Sequence, residues 1–170
     1  QPGTITNFGR LLVKSGRVRL GNGFEMLKNL RLADDGAATV FVADGQSATM
    51  SAVILPGNAA FEMGTGSGSA AKLTFANSSG QAWTGGKTLT ISNWNGRASG
   101  GGPDQIFFGT DATGLTGTQL AQVYWIAPNG GGDVVGAKIL TTGEIVPAVT
   151  TTLTSPGKVG ADYVFNVVPG

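Results

Sequence analysis

Short apolar triplets, each closed by a turn, run through the first two thirds of this chain. Leu11-Leu12-Val13 precedes Ser15-Gly16, Val18-Arg19-Leu20 precedes Gly21-Asn22-Gly23, and Leu30-Arg31-Leu32 precedes Asp34-Asp35-Gly36. Val40-Phe41-Val42, Val53-Ile54-Leu55, Phe61-Glu62-Met63, Leu73-Thr74-Phe75 and Leu89-Thr90-Ile91 continue the series, each with its own Gly, Asn or Asp corner. An alternation of period two places the first and third residue on one face of an extended strand. Asp and Asn bond back to nearby backbone and Gly accepts positive φ, so each strand is cut short by the turn after it. A chain punctuated this often has no room for long helices, and the expected class is all-β.

Two architectures satisfy the spacing. One is a β-solenoid (parallel β-helix) whose faces are each a single short strand; the other is an antiparallel β-sandwich or jelly roll. Strand length, the many Asn-Gly and Asp-Gly corners, and the small residues Ala37, Ala38, Ala59, Ala60, Ala70 and Ala71 near strand starts favour the solenoid, because inward side chains of a narrow coil stack in register. No fixed repeat length accompanies the pattern.

One helix is expected. Thr116-Gly117-Thr118-Gln119 matches a capping box, and Leu115 and Leu120 stand at the positions of a hydrophobic staple, giving a short surface helix near 116–122. Beyond it Pro128 and Gly130 to Gly132 mark a loop, while Val134-Val135, Ala137 to Leu140 and Glu144 to Val146 read as strands. The tail is β-forming from Thr150 to Thr154 and from Lys158 to Val168, with Tyr163, Phe165 and Val167 alternating against Val164, Asn166 and Val168. A strand over Val159 to Val168 is apolar on both faces and needs cover on both. The chain reads as one β-rich domain over 1–170, with 1–13 and 150–170 as candidate exchanged or capping strands.

Composition narrows the chemistry. There is no Cys and no His among 170 residues, which excludes thiolate nucleophiles, disulfides, Cys-based metal sites, the Ser-His-Asp triad and an imidazole base. Eleven Lys and Arg balance ten Asp and Glu, so the overall field suits neither nucleic acid nor an anionic membrane. Charged residues make up 12%, against roughly 25% in ordinary soluble domains. No apolar run reaches the roughly 18 residues of a membrane span, and no signal-peptide pattern is present.

The remaining motifs favour turns over sites. Gly80 to Thr88 ends in Gly-Gly-Lys-Thr, but the spacing from Gly80 is one residue too long for a phosphate-binding loop and a strand follows in place of a helix. Asp34, Asp35, Asp44, Asp104, Asp111 and Asp133 could ligate calcium, yet Asp before Gly is ordinary turn chemistry and no Asp-x-Asp-x-Asp loop occurs. The ten acids sit in no glycosidase motif, and Lys72, Lys87 and Lys138 are available as bases only by analogy to solenoid lyases. Asn77-Ser78-Ser79 is a lone sequon. The aromatics are the stronger feature: Trp83, Trp94, Tyr124 and Trp125, with Phe107 and Phe108, fall within residues 80–126. They suit either closure of the core end or a glycan-stacking face built on Trp83, Trp94 and Trp125.

The runs Leu89-Thr90-Ile91-Ser92-Asn93-Trp94-Asn95-Gly96, Gly100 to Gly109 with Asp104-Gln105-Ile106-Phe107-Phe108, Gly114 to Leu120, and Gly143-Glu144-Ile145-Val146-Pro147 resemble the C-terminal part of bacterial PEP-CTERM-type exported proteins and autotransporter-associated β-strand-repeat surface proteins. The resemblance spans about Ala70 to Pro147. It implies an exported, cell-surface or extracellular protein of β-solenoid type without catalysis, and it supplies no catalytic residues. After Pro147 the chain departs from it: the Pro-Glu-Pro, membrane segment and basic tail of that pattern give way to the β-rich tail.

The expected function is thus a non-catalytic structural subunit of an extracellular fibre or surface assembly. It would polymerise head-to-tail by strand pairing, with Val159, Tyr163, Val164, Phe165, Val167 and Val168, or the segment from Thr4 to Val13, as the joint. The partner is then the chain itself, without cofactor, metal, nucleic acid or membrane span. The alternative is a carbohydrate-binding or adhesive module.

Overall fold

The structure, a computed structural model, describes residues 10–148 apart from 22, 27, 35 and 66–68, together with the backbone of four strands in the tail. The fold is all-β, and three runs of short strands pair side by side. The first holds β1 (Leu11–Val13), β4 (Leu30–Leu32) and β7 (Val53–Ile54). The second holds β2 (Gly16–Leu20), β5 (Ala38–Val42), β8 (Ala59–Met63), β10 (Leu89–Ser92) and β12 (Val123–Ile126), and the third β3 (Phe24–Met26), β6 (Ser47–Met50), β9 (Lys72–Phe75) and β11 (Gln105–Phe108). From β1 to β9 the chain visits the three runs in turn and from β10 to β12 it alternates between the second and third, and every ladder inside them is parallel. The antiparallel sandwich is therefore not formed: turns in this chain lead to the next face, not back along the same one.

Within the described part of 10–148, antiparallel pairing enters only at the far end. There β13 (Val134–Ile139) pairs with β12, and β14 (Glu144–Pro147) pairs with both β13 and β11. This hairpin joins the second and third runs into one eleven-stranded sheet, in the order β2-β5-β8-β10-β12-β13-β14-β11-β9-β6-β3. The sheet bends round until it is nearly closed. Among the described residues its two edge strands, β2 and β3, both belong to the first circuit of the chain.

Register explains why small and branched residues recur. Gly16, Ala38, Ala59, Leu89 and Val123 line up across the second run, as do Val18, Val40, Phe61, Ile91, Trp125 and Val135. Ala48, Leu73, Ile106 and Ile145 form the facing row. The side chains thicken toward the hairpin end, where Phe61, Phe75 and Phe108 stack in sequence with centroids 5.2 and 5.0 Å apart; such pairs contribute about 0.5–1.5 kcal/mol each beyond area burial.

Helix α1 (Gly117–Leu120) forms with the expected reciprocal cap: Thr116 Oγ1 accepts from the Gln119 N–H, and Gln119 Oε1 accepts from the Thr116 N–H. The buried Gln119 amide also donates to Ser78 O and Gln81 O, so the cap fastens the helix to the neighbouring circuit. Gln122 does the same for the loop before β10, donating to Thr84 O and Lys87 O. The Gly-Gly-Lys-Thr segment is thus a carbonyl-anchored turn into a strand.

In the tail, β15 (Thr151–Leu153) pairs antiparallel with β18 (Val167–Pro169), and β16 (Gly157–Val159) with β17 (Asp162–Val164). The single strand expected over Val159 to Val168 is instead divided among β16, β17 and β18. Two nested ladders give these strands partners within the tail. Phe165 lies outside the described residues, as does the segment 1–9; Leu11 to Val13 is β1, already paired with β4.

Candidate functional site: a corner cleft on a polar support

The three tryptophans do not form a common surface. Trp94 and Trp125 are 2% and 0% exposed, packed against each other with centroids 4.7 Å apart. Neither offers a ring face to a sugar, which corrects the stacking expectation for both; they close the wide end of the core. Trp83 is half-buried, donates its indole N–H to Val53 O at 3.0 Å, and meets Phe108 edge-on.

What surrounds Trp94 is more distinctive. Asp104 is buried beneath it and accepts three hydrogen bonds: Oδ1 from the Ala71 N–H at 2.9 Å, Oδ2 from the Asn95 N–H at 2.7 Å, and its carbonyl from Trp94 Nε1 at 2.9 Å. Burial raises the carboxyl's pKa, partly countered by the two backbone N–H groups. On the other side, Asn129 clamps Gly96, accepting from its N–H and donating to its carbonyl, while the Asn129 N–H donates to Trp94 O.

These contacts shape a cleft of about 390 Å³ where the end of β10 meets the turn after β12. Its wall is Ser92, Asn93, Trp94 and Asn95 on one side, and Ile126, Ala127, Asn129 and Gly130 on the other, with Thr65 at the rim. No lining residue is charged. Asn93, Ala127 and Asn129 all adopt left-handed backbone, with φ of 57°, 46° and 55°; Ala33 is the only other described non-glycine residue that does so. Ala has no side-chain hydrogen bond to offset that conformation, so the corner stores strain.

A second cleft, of about 530 Å³, lies between Gly100-Gly101 and the turn at Thr141-Thr142. Glu144 borders it. One carboxylate oxygen accepts from the Gly101 N–H, while the other is enclosed by protein and has no hydrogen-bond partner among the described residues.

The acids considered for calcium are dispersed. Asp34 pairs with Arg31, and that guanidinium lowers its pKa; Asp44 accepts from Thr65; Asp111 accepts from Thr113, which lowers its pKa. Asp35 lies outside the described residues. Among the described residues no three His, Cys, Asp or Glu side chains converge as a metal site, and no helix is long and apolar enough to cross a membrane. Of the candidate joint residues, Val159, Tyr163, Val164, Val167 and Val168 fall on tail strands. The amide-lined corner was missed in the sequence; its signal is the pair Asn-Trp-Asn-Gly and Pro-Asn-Gly-Gly, which read separately as turns.

No protein-family model matches the chain, and neither curated proteins nor solved structures provide a significant match.

Proposed function

We propose that the chain is a non-catalytic structural subunit of an extracellular or cell-surface assembly, built as a β-solenoid and joined to its neighbours by strand addition. The observation that carries this reading is the asymmetry of its ends. Three parallel runs in register favour the solenoid over a barrel, and the β13–β14 hairpin bridges the last strands of the second and third runs, which blocks further pairing at that end of the stack. At the other end β2 and β3 each have a partner on one side only among the described residues. The Gly16 N–H bonds to Ala37 O on the β5 side, so in a parallel ladder the alternate N–H groups, of Arg17 and Arg19, point toward the open side. An unpaired edge of this kind templates a further strand.

Charge favours the tail of another copy as that strand. Residues 10–32 carry six Lys and Arg and the single acid Glu25, whereas residues 150–170 carry one Lys and one Asp. Two first circuits meeting edge to edge would bring like charges together; a neutral β-forming tail does not.

Sedimentation velocity over a range of concentrations tests the proposal. The full chain should assemble reversibly, and both deletion of 150–170 and Arg19→Pro should hold it monomeric with an unchanged far-UV circular dichroism signal from the body. A full chain that stays monomeric throughout, or a deletion that assembles as well as the full chain, would refute head-to-tail joining.

A further inference from the structure

We infer that the corner cleft between Ser92–Asn95 and Ile126–Gly130 binds a neutral saccharide. The volume, about 390 Å³, falls in the ordinary range for small-ligand clefts of about 300–1,000 Å³. The lining holds no cation, and the Asp44 and Glu62 carboxylates stand behind Thr65 and Asn93, so the cleft selects against anionic ligands, whose desolvation nothing there would offset.

The polar groups at the cleft differ in whether the protein already uses them. Thr65 Oγ1 donates to Asp44, and both ends of the Asn129 amide are held by Gly96. The Ser92 hydroxyl and the Asn95 side-chain amide have no hydrogen bond to any described residue, although the Asn95 backbone is pinned by Asp104. Asn93 donates through Nδ2 to Glu62 Oε1 and Gly64 O, leaving its Oδ1 as a further acceptor. One hydroxyl and one amide give both donors and acceptors within a single corner. Sugar hydroxyls, which donate and accept together, match that mixture better than a purely apolar or purely anionic ligand would.

An apolar surface adjoins these groups. Ile126 lines the cleft at 43% exposure, and Tyr124, two positions away on the same outward face of β12, is 36% exposed. Together they offer the C–H face of a pyranose an apolar and aromatic support. Trp94 belongs to the wall but is only 2% exposed, so it positions its neighbours and offers little ring surface. The corner is also built before any ligand arrives: Asp104 holds Asn95, Asn129 holds Gly96 and Trp94, and the Ala127 N–H is bonded to Asp133 O. Left-handed backbone at three adjoining corner residues is retained by these contacts, so binding need not order the loops.

The test is ¹⁵N–¹H NMR titration of the full chain with neutral gluco-, manno-, galacto- and xylo-oligosaccharides, and with a polyuronate of the same length. At least one neutral sugar should shift the amides of Ser92, Asn95, Ile126 and Asn129 with saturation below about 10 mM, and Asn95→Ala should weaken it about tenfold. The Asn95 side chain makes no hydrogen bond to any described residue, so Asn95→Ala should keep the wild-type melting temperature while losing affinity; Ile126→Ser gives up the covered part of a side chain that is 43% exposed and should lose affinity with a modest fall in melting temperature. The inference fails if no neutral sugar shifts these amides, if the shifts lie elsewhere, if the polyuronate binds as well, or if folded Asn95→Ala binds like wild type.

Discussion

The two packed tryptophans allow one substitution to be made twice in nearly the same surroundings with opposite polar consequences. Trp94 and Trp125 are both buried and in contact, but Trp94 Nε1 donates to Asp104 O whereas Trp125 Nε1 is buried without a partner among the described residues. Replacing either by Phe removes a ring's worth of volume, about 40 Å³, which costs about 1 kcal/mol at ~24 cal/mol per Å³ of cavity. At position 125 the change also removes an unsatisfied N–H, whose burial costs about 1–3 kcal/mol, so Trp125→Phe should be neutral or stabilising. At position 94 it breaks a buried hydrogen bond and strips Asp104 O of that donor, adding about 1–3 kcal/mol of loss. Trp94→Phe should therefore lie at least about 2 kcal/mol below Trp125→Phe, which for a chain of this size is roughly 4–8 °C in Tm. Urea and thermal unfolding followed by far-UV circular dichroism decide it. Equal losses for the two variants, or a larger loss for Trp125→Phe, would mean that ring packing alone governs this end of the core and that the polar accounting is wrong.

Two further outcomes follow from local geometry. A methyl added at Gly114 would run into the Phe108 carbonyl, whereas one added at Gly117 in the first turn of α1 meets open space; Gly114→Ala should cost about 3 kcal/mol and Gly117→Ala should stabilise by about 0.5–1 kcal/mol, as read by urea midpoints. In ¹³C carboxyl titrations Asp104 should titrate above the ordinary 3.8, and Asp34 and Asp111 below it. Because folded Asp104 keeps its proton where the unfolded chain has lost it, its contribution makes stability fall as pH rises from 3.8 through the raised value, while Asp34 and Asp111 make stability rise with pH only below 3.8. Asp104→Asn should abolish the falling limb, and its persistence in that variant would sink the assignment.

Much of the strand pattern is local and was legible for that reason. The triplets at Leu11, Leu30, Val40, Phe61, Leu73 and Leu89 are strands because alternation and turn residues act over a few positions. Phe24–Met26 and Ser47–Met50 escaped notice: the first carries the same Phe-Glu-Met alternation as 61–63 and was equally legible, whereas the second turns only Ala48 and Met50 inward. Val123–Ile126 alternates buried and exposed positions, yet its aromatic composition suggested a binding face first. The pairing itself was not readable, because successive partners stand 19 residues apart at Leu11 and Leu30 but 34 apart at Leu89 and Val123. Insertions at the corners lengthen each circuit without disturbing register, so no period survives in the sequence. The cleft is hidden for the same reason: Asn95 and Asn129 meet only because two circuits of unequal length place their corners side by side.

Closure and binding are linked by that same lengthening of the chain. The early circuits have tight corners and carry most of their polar character as basic residues beside an open edge, where Lys and Arg limit indiscriminate pairing. The later circuits spend their extra residues on loops that fold over the sheet end, supplying Asp104 and Gln119 as buried fasteners and the amides of the corner as an exposed product. A strand-adding end must stay narrow and unobstructed, whereas a cleft needs loops long enough to converge. Placing the two at opposite ends of the stack of circuits lets the proposed joint and the proposed saccharide site operate without competing for the same backbone.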